Sequence, residues 1–169
     1  MLFYHLFINK QVKGLNIGLT KEERVLTYLG LFFSAFSSAT LLPGTSEVVL
    51  SALAINSREA LLQLWLVATL GNVLGSCVNY WLGLKMMSYQ HKSWFPISPQ
   101  QVTKAQQLFE RYGVWSLFLA WVPIVGDPLT LVAGLCKFRF WLFLLLVSIS
   151  KGARYAFILF GVMGVERLI

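Results

Sequence analysis

Four ionisable residues stand in stretches too apolar for them: Glu47, Asp127, Lys151 and Arg154. At the centre of a membrane span each costs about 2.5–3.5 kcal/mol on insertion scales, so such residues pair with one another or serve a site. Two carboxylates and two cations balance. A carboxylate in such surroundings can take up and release a proton or hold a cation. Desolvation favours the neutral acid, and a nearby cation favours the carboxylate. Lys151 and Arg154 lie three apart, so both can address one side of a helix. There they can neutralise the acids or hold an anionic headgroup. The alternative is structural, with ion pairs that hold a bundle together.

The two acids share a context. Pro43-Gly44-Thr45-Ser46-Glu47 and Pro123-Ile124-Val125-Gly126-Asp127 are each a proline, three residues and an acid, and Pro128 follows the second. Each copy interrupts a hydrophobic run. Proline removes a backbone donor and breaks a helix, and irregular backbone at membrane depth persists only where protein or water covers it. The two breaks are therefore candidates for facing halves of one intramembrane transport site. Backbone N–H groups at Gly44-Thr45-Ser46 and Val125-Gly126 are candidate donors to a phosphate, as helix N-termini are. Thr45, Ser46 and Thr130 add hydroxyls.

The composition says what holds these residues. Of 169 residues, 57% are hydrophobic and only 12% charged, about half the charged share of a soluble domain. This is the composition of a membrane protein of one domain. The net charge of +7 comes without a basic-aromatic module. Its basic residues lie mostly between hydrophobic segments, where they meet lipid headgroups, and no nucleic-acid partner is expected. Cys77 and Cys136 form no CxxC and read as small buried hydrophobes. His5 and His91 lack neighbours at metal spacing, so neither a metal nor another cofactor is expected. No nucleophile–base pair or phosphate loop stands out, and the chain does not read as an enzyme.

Residues 1–24 read as an interfacial segment without a signal peptide. Thr20-x-x-Glu23 is a capping box, placing a helix start near Lys21. Residues 25–56 are a broken apolar run. A re-entrant hairpin, a tilted broken helix, or an interfacial helix leading into a short hairpin all fit it. Residues 60–84 form a transmembrane helix whose Ala68, Gly71, Gly75, Asn79 and Gly83 make a small-residue packing face. Asn72 and Asn79 add amides that need partners. Residues 85–112 are a polar loop and an amphipathic helix opening at Ser98-Pro99, with Val102, Ala105, Leu108, Phe109 and Tyr112 at helical spacing. Gly113 is the expected hinge into a second broken run, 113–136. Residues 140–162 form the second span, with Ser148, Gly152 and Ala156 as its small stripe.

The two halves repeat. An offset of eighty places Pro43 on Pro123, Glu47 on Asp127 and Ala54 on Gly134; one further residue places Gly71 on Gly152 and Gly83 on Gly164. If each broken run is a hairpin, each unit crosses the membrane once and the second is inverted. Inverted repeats with broken helices at the midplane are the architecture of many secondary transporters. The expected fold is an all-α integral membrane protein: two broken or re-entrant helical hairpins, each followed by a transmembrane helix, plus amphipathic helices. Basic residues divide evenly between the two sides, and residues 85–112 are assigned to the cytoplasm. Membrane lipids are the expected partners. So is a second copy of the chain, because two spans and two hairpins make a thin shield for four charges.

Ala39-Thr40-Leu41-Leu42-Pro43-Gly44-Thr45-Ser46-Glu47, Gly71-Asn72-x-x-Gly75, Pro123-x-x-Gly126-Asp127-Pro128 and the Lys-Gly-Ala-Arg-Tyr run from Lys151 to Tyr155 together resemble the DedA (SNARE-associated, VTT) superfamily. More narrowly they resemble its small YqaA-type bacterial inner-membrane branch. The resemblance spans about residues 25–165. It implies two re-entrant hairpins facing each other and lipid scrambling or flipping. Undecaprenyl phosphate and phosphatidylethanolamine carriers are among the members, often coupled to protons. Better-studied members carry arginines around the second proline, whereas Ala120 to Gly126 here has none; Lys151 and Arg154 are the candidates to take over that role. The leading functional expectation is movement of a lipid or polyprenyl-phosphate headgroup between leaflets. A small ion or solute transporter and a non-transporting membrane scaffold or assembly factor are the alternatives.

Overall fold

The structure, a computed structural model, describes residues 21–40, 45–56, 60–87, 99–122 and 125–168. Six α-helices are described: α1 (Lys21–Thr40), α2 (Thr45–Asn56), α3 (Leu61–Met87), α4 (Pro99–Phe118), α5 (Gly126–Leu135) and α6 (Phe140–Leu168), with a 3-10 turn at Leu119–Trp121. Pro43, Gly44 and Pro123, three of the expected break residues, lie outside the described residues, as does the N-terminal segment through Thr20.

Helix α1 begins at Lys21 with Glu22 and Glu23 in its first turn, where the helix dipole favours negative charge. Helices α3 and α6, 27 and 29 residues long, reach about 40 Å, enough to cross a hydrocarbon core of about 30 Å. Helix α2 is as apolar as a span but has 12 residues, about 18 Å, too short to cross. Helix α3 continues past residue 84 to Met87, with Lys85 in its last turn. The expected hinge at Gly113 is absent: α4 runs through it. The ring of Phe109 occupies the space a Cβ at Gly113 would need, 2.7 Å away. Gly113 is thus a packing residue, and α4 gives way to the 3-10 turn at Leu119–Trp121.

Two apolar cores form. One joins Leu31 and Ala35 of α1, Leu50 and Ala54 of α2, Leu64 and Ala68 of α3, and Tyr155 and Leu159 of α6. The other joins Val73 and Tyr80 of α3, Leu117 of α4, Ala133 of α5, and Phe143 and Val147 of α6. Along α3 the first core precedes the second, and along α6 the order reverses, so the two long helices run antiparallel. Between the cores lies a buried polar layer of Ser46, Asn72, Ser76, Asn79, Thr130, Ser150 and Lys151. Helix α1 packs on α3 and α4 on α6, and α5 packs on α3 and α2 on α6, but the seams are unequal: those of α1 and α5 on α3 are much the broader. Large apolar side chains, Phe33, Trp81, Trp141, Phe157 and Phe160 among them, face outward, as a lipid-facing surface requires.

The small residues of α3 divide between two neighbours. Gly71 and Gly75 meet the backbone of α1 at Phe32 and Phe36, whereas Gly83 meets α5 at Leu131 and Gly134. Gly152 of α6 lies against Trp65, whose Nε1 donates to the Gly152 carbonyl at 2.8 Å.

Helix α5 ends in paired closing bonds: Phe138 N–H donates to Ala133 O and Lys137 N–H to Gly134 O, both at 3.0 Å. This is the Schellman arrangement, and it puts Lys137 at φ 52°, a conformation that favours glycine. Lys137→Gly is expected to raise stability by about 1 kcal/mol. An unchanged or lowered midpoint of SDS-induced unfolding would remove the strain from this account.

Candidate functional site

Both short helices present an acid at their start. Glu47 lies in the first turn of α2 and Asp127 in the first turn of α5. Pro128 also falls in that first turn, where its missing N–H breaks no helical bond. Both cations come from α6, as the sequence predicts for one helix, but they serve different partners. Lys151 donates to Asp127 Oδ1 at 2.8 Å and to Asn72 Oδ1. Arg154 pairs with Glu47. The four charges thus form two ion pairs, one on each short helix.

The pairs differ in access. The Lys151 side chain is 2% exposed and Asp127 23%, against 14% for Arg154 and 30% for Glu47. Lys151 is fully enclosed and held twice. Arg154 is held by a carboxylate that itself reaches the surface of the site.

A chain of polar contacts leads from the Lys151–Asp127 pair to α2. Asn72 Nδ2 donates to the Tyr155 hydroxyl at 2.7 Å, and that hydroxyl lies 2.8 Å from Ser46 Oγ. The second amide of α3 makes a parallel link. Asn79 Nδ2 donates to Ala39 O at 2.8 Å and approaches Thr130 Oγ1 at 3.3 Å, and Thr130 in turn donates to Asp127 O at 2.7 Å. Ala39 lies in the last turn of α1, whose carbonyls lack helical partners. Asn72 and Asn79 are seven residues, about two turns, apart on one face, and each bridges the first unit to the second.

Two sequence expectations change. The Gly126 N–H is not free for an anion, because it donates to Val122 O at 2.9 Å; Gly126 instead admits the backbone of Ala120. Tyr155, which in the sequence only closes the Lys-Gly-Ala-Arg-Tyr run, is the junction of the network. The signal was present: a buried tyrosine hydroxyl in an apolar run needs a partner. Among the described residues no set of three His, Cys, Asp or Glu is arranged to hold a metal.

The family model for the VTT domain matches residues 25–163. The chain belongs to the VTT-domain, or DedA, family. Inner membrane protein YqaA of Escherichia coli K12 is 37% identical over 135 residues, which are 79% of this chain and 89% of that protein. A Haemophilus influenzae protein is 36% identical over 137 residues, covering 77% of this chain and 83% of its own length. Undecaprenyl phosphate transporter A of Staphylococcus aureus is 24% identical over 101 residues, 53% of this chain and 49% of that protein. No solved structure matches the chain. As a VTT-domain protein with two helices of spanning length, the chain is a bacterial inner-membrane protein, and its family likeness is to membrane proteins of the transporter kind.

Proposed function

We propose that this VTT-domain protein moves a lipid or polyprenyl-phosphate headgroup between leaflets, with Arg154–Glu47 as its exchangeable pair and Lys151–Asp127 as its fixed one. The observation that carries this reading is the difference in enclosure between two otherwise matching ion pairs. A guanidinium presents a planar fork of donors suited to a phosphate, and only Glu47 competes for it among the described contacts. When Glu47 takes a proton its hold on Arg154 weakens and a phosphate can replace it, so proton uptake and headgroup binding are linked. The antiparallel α3 and α6, the corresponding helix seams of the two units, and two short helices with acids in their first turns support an inverted repeat with re-entrant hairpins. The distant likeness to an undecaprenyl phosphate transporter supports the phosphate-bearing substrate class.

The test is leaflet exchange in vesicles of phosphatidylethanolamine and phosphatidylglycerol, using headgroup-labelled phospholipid and polyprenyl phosphate across pH. A charge-assisted hydrogen bond is worth about 1.5–3 kcal/mol, so Arg154→Ala is expected to slow exchange by roughly tenfold to a hundredfold. Glu47→Gln should flatten the pH dependence. If both variants are folded and move every lipid as fast as the parent, the site assignment fails. Cation or proton flux without lipid movement would favour the ion or solute transporter instead. Absence of any flux would favour the scaffold.

A further inference from the structure

The last carbonyls of a helix have no partner within it, and inside a membrane each still needs one. At the end of the first helix of each unit, a side chain from the long helix of that unit supplies it. Asn79 of α3 donates Nδ2 to Ala39 O, in the last turn of α1, at 2.8 Å. Ser150 of α6 donates Oγ to the carbonyl of Phe118, the last residue of α4, at 3.1 Å. Both donors are buried. They differ in reach. A hydroxyl has one proton and an amide nitrogen two. Ser150 spends its proton within its own unit. Asn79 has a second, and Thr130 of α5, in the other unit, receives it at 3.3 Å.

The directions follow from the acceptors. A backbone carbonyl only accepts, so Ala39 O requires the nitrogen of the Asn79 amide to face it. Thr130 likewise gives its proton to Asp127 O at 2.7 Å, which leaves its oxygen to receive Asn79. Among the described residues α1 and α5 have no broad seam with each other, and each packs on α3. Asn79 thus ties the end of α1, through Thr130, to the backbone of the residue that meets Lys151. The close approach at Gly134 holds the far end of α5, and Asn79 holds the end that carries the acid.

We propose that Asn79, acting through Thr130, is the positioning residue that seats Asp127 against Lys151, and that the end of α1 sets its orientation. The ion pair of one unit is then held in place by a helix end of the other. Ser150 has no such part, because its bond ends at Phe118. The inference deepens the transport reading, whose fixed pair it accounts for, but the contact it describes does not require that any lipid be moved.

Asp127 is the chain's one aspartate, so carbon-13 aspartate labelling reports that residue alone. With lysine side chains labelled in nitrogen-15, the dipolar coupling between the Asp127 carboxyl carbon and a lysine nitrogen reads its contact with Lys151, whose Nζ lies 2.8 Å from Oδ1. Solid-state NMR measures it in vesicles of phosphatidylethanolamine and phosphatidylglycerol. Asn79→Ala is expected to shift the balance from seated to displaced Asp127 about two- to tenfold, the weight of one neutral hydrogen bond. The shift is seen as a weakened coupling and a displaced carboxyl resonance. Thr130→Val removes the hydroxyl with little change of size, and should do the same if Asn79→Ala fails to fold. Thr130→Ser, which keeps the hydroxyl, should keep the parent's coupling. Ser150→Ala removes a matching buried bond and should also leave the coupling unchanged, whereas a merely structural role for Asn79 would make the two variants alike. The parent's coupling in both Asn79→Ala and Thr130→Val overturns the assignment, as does equal weakening in Ser150→Ala. Lipid exchange in the same vesicles keeps the two readings apart: a parent that moves no lipid removes the transport reading and leaves the coupling to decide the role of Asn79.

Discussion

Asp127→Asn is expected to cost about 3–5 kcal/mol of stability, the loss typical of removing one partner from a buried ion pair. The size of the effect follows from what remains. Lys151 is 2% exposed, lies in the polar layer between two apolar cores, and keeps only the Asn72 carbonyl oxygen as a described partner. An asparagine at 127 preserves shape but neutralises nothing. A second substitution separates charge from shape: Lys151→Met added to Asp127→Asn removes the uncompensated ammonium, leaving Asn72 without its donor at a cost of about 1–3 kcal/mol. The double variant should therefore be more stable than Asp127→Asn alone. SDS-induced unfolding in mixed micelles, followed by tryptophan emission, measures the parent, both single variants and the double variant in one double-mutant cycle. Additive losses would show that the two side chains are energetically independent and that the fixed pair is misassigned.

The sequence carries part of this arrangement plainly. The Pro-x3-acid pattern appears twice, and the two acids do fall in the first turns of two short helices. The same pattern cannot say which cation serves which acid. Lys151 and Arg154 are three residues apart and both lie near the middle of α6, so their partners depend on where α2 and α5 pack against that helix. That is a tertiary fact. The small-residue face of α3 was legible as a face, but its division between α1 and α5 was not: Gly71 and Gly83 look alike in sequence and differ only in the backbone each meets. Gly113 misled for a local reason. A glycine between a polar helix and an apolar run resembles a hinge, and only the position of the Phe109 ring shows that the missing side chain makes room for packing. Tyr155 is the instructive omission. Aromatic residues make up 15% of this chain, so one more tyrosine in a span carries no sequence signal of its own; its role comes from the placement of its hydroxyl between Asn72 and Ser46.

The second large effect concerns the seam that places Asp127. Gly83 of α3 and Gly134 of α5 face each other's helices, and a Cβ on either would fall inside contact distance of backbone: Leu131 O for Gly83, Tyr80 O for Gly134. A flexible side chain could yield to the new atom, but a helix backbone moves only as a body. Gly134→Ala should therefore cost about 1–3 kcal/mol, as overpacking does, and Gly134→Val more. The consequence reaches the site because α5 has only 10 residues. It cannot tilt away at Gly134 without disturbing its other end, where Asp127 sits 2.8 Å from Lys151 and Thr130 meets Asn79. Gly161→Ala is the matched control, since nothing lies within 4 Å of a Cβ there. It should be neutral, or stabilising by up to about 1 kcal/mol through helix propensity. The same unfolding measurement, with the carbon-13 aspartate resonance as a second reading, separates the two glycines. The seam predicts a lowered midpoint and a displaced Asp127 signal for Gly134→Ala, and neither for Gly161→Ala. A Gly134→Ala protein that unfolds at the parent's midpoint with an unmoved Asp127 signal would mean that α3 and α5 do not approach this closely.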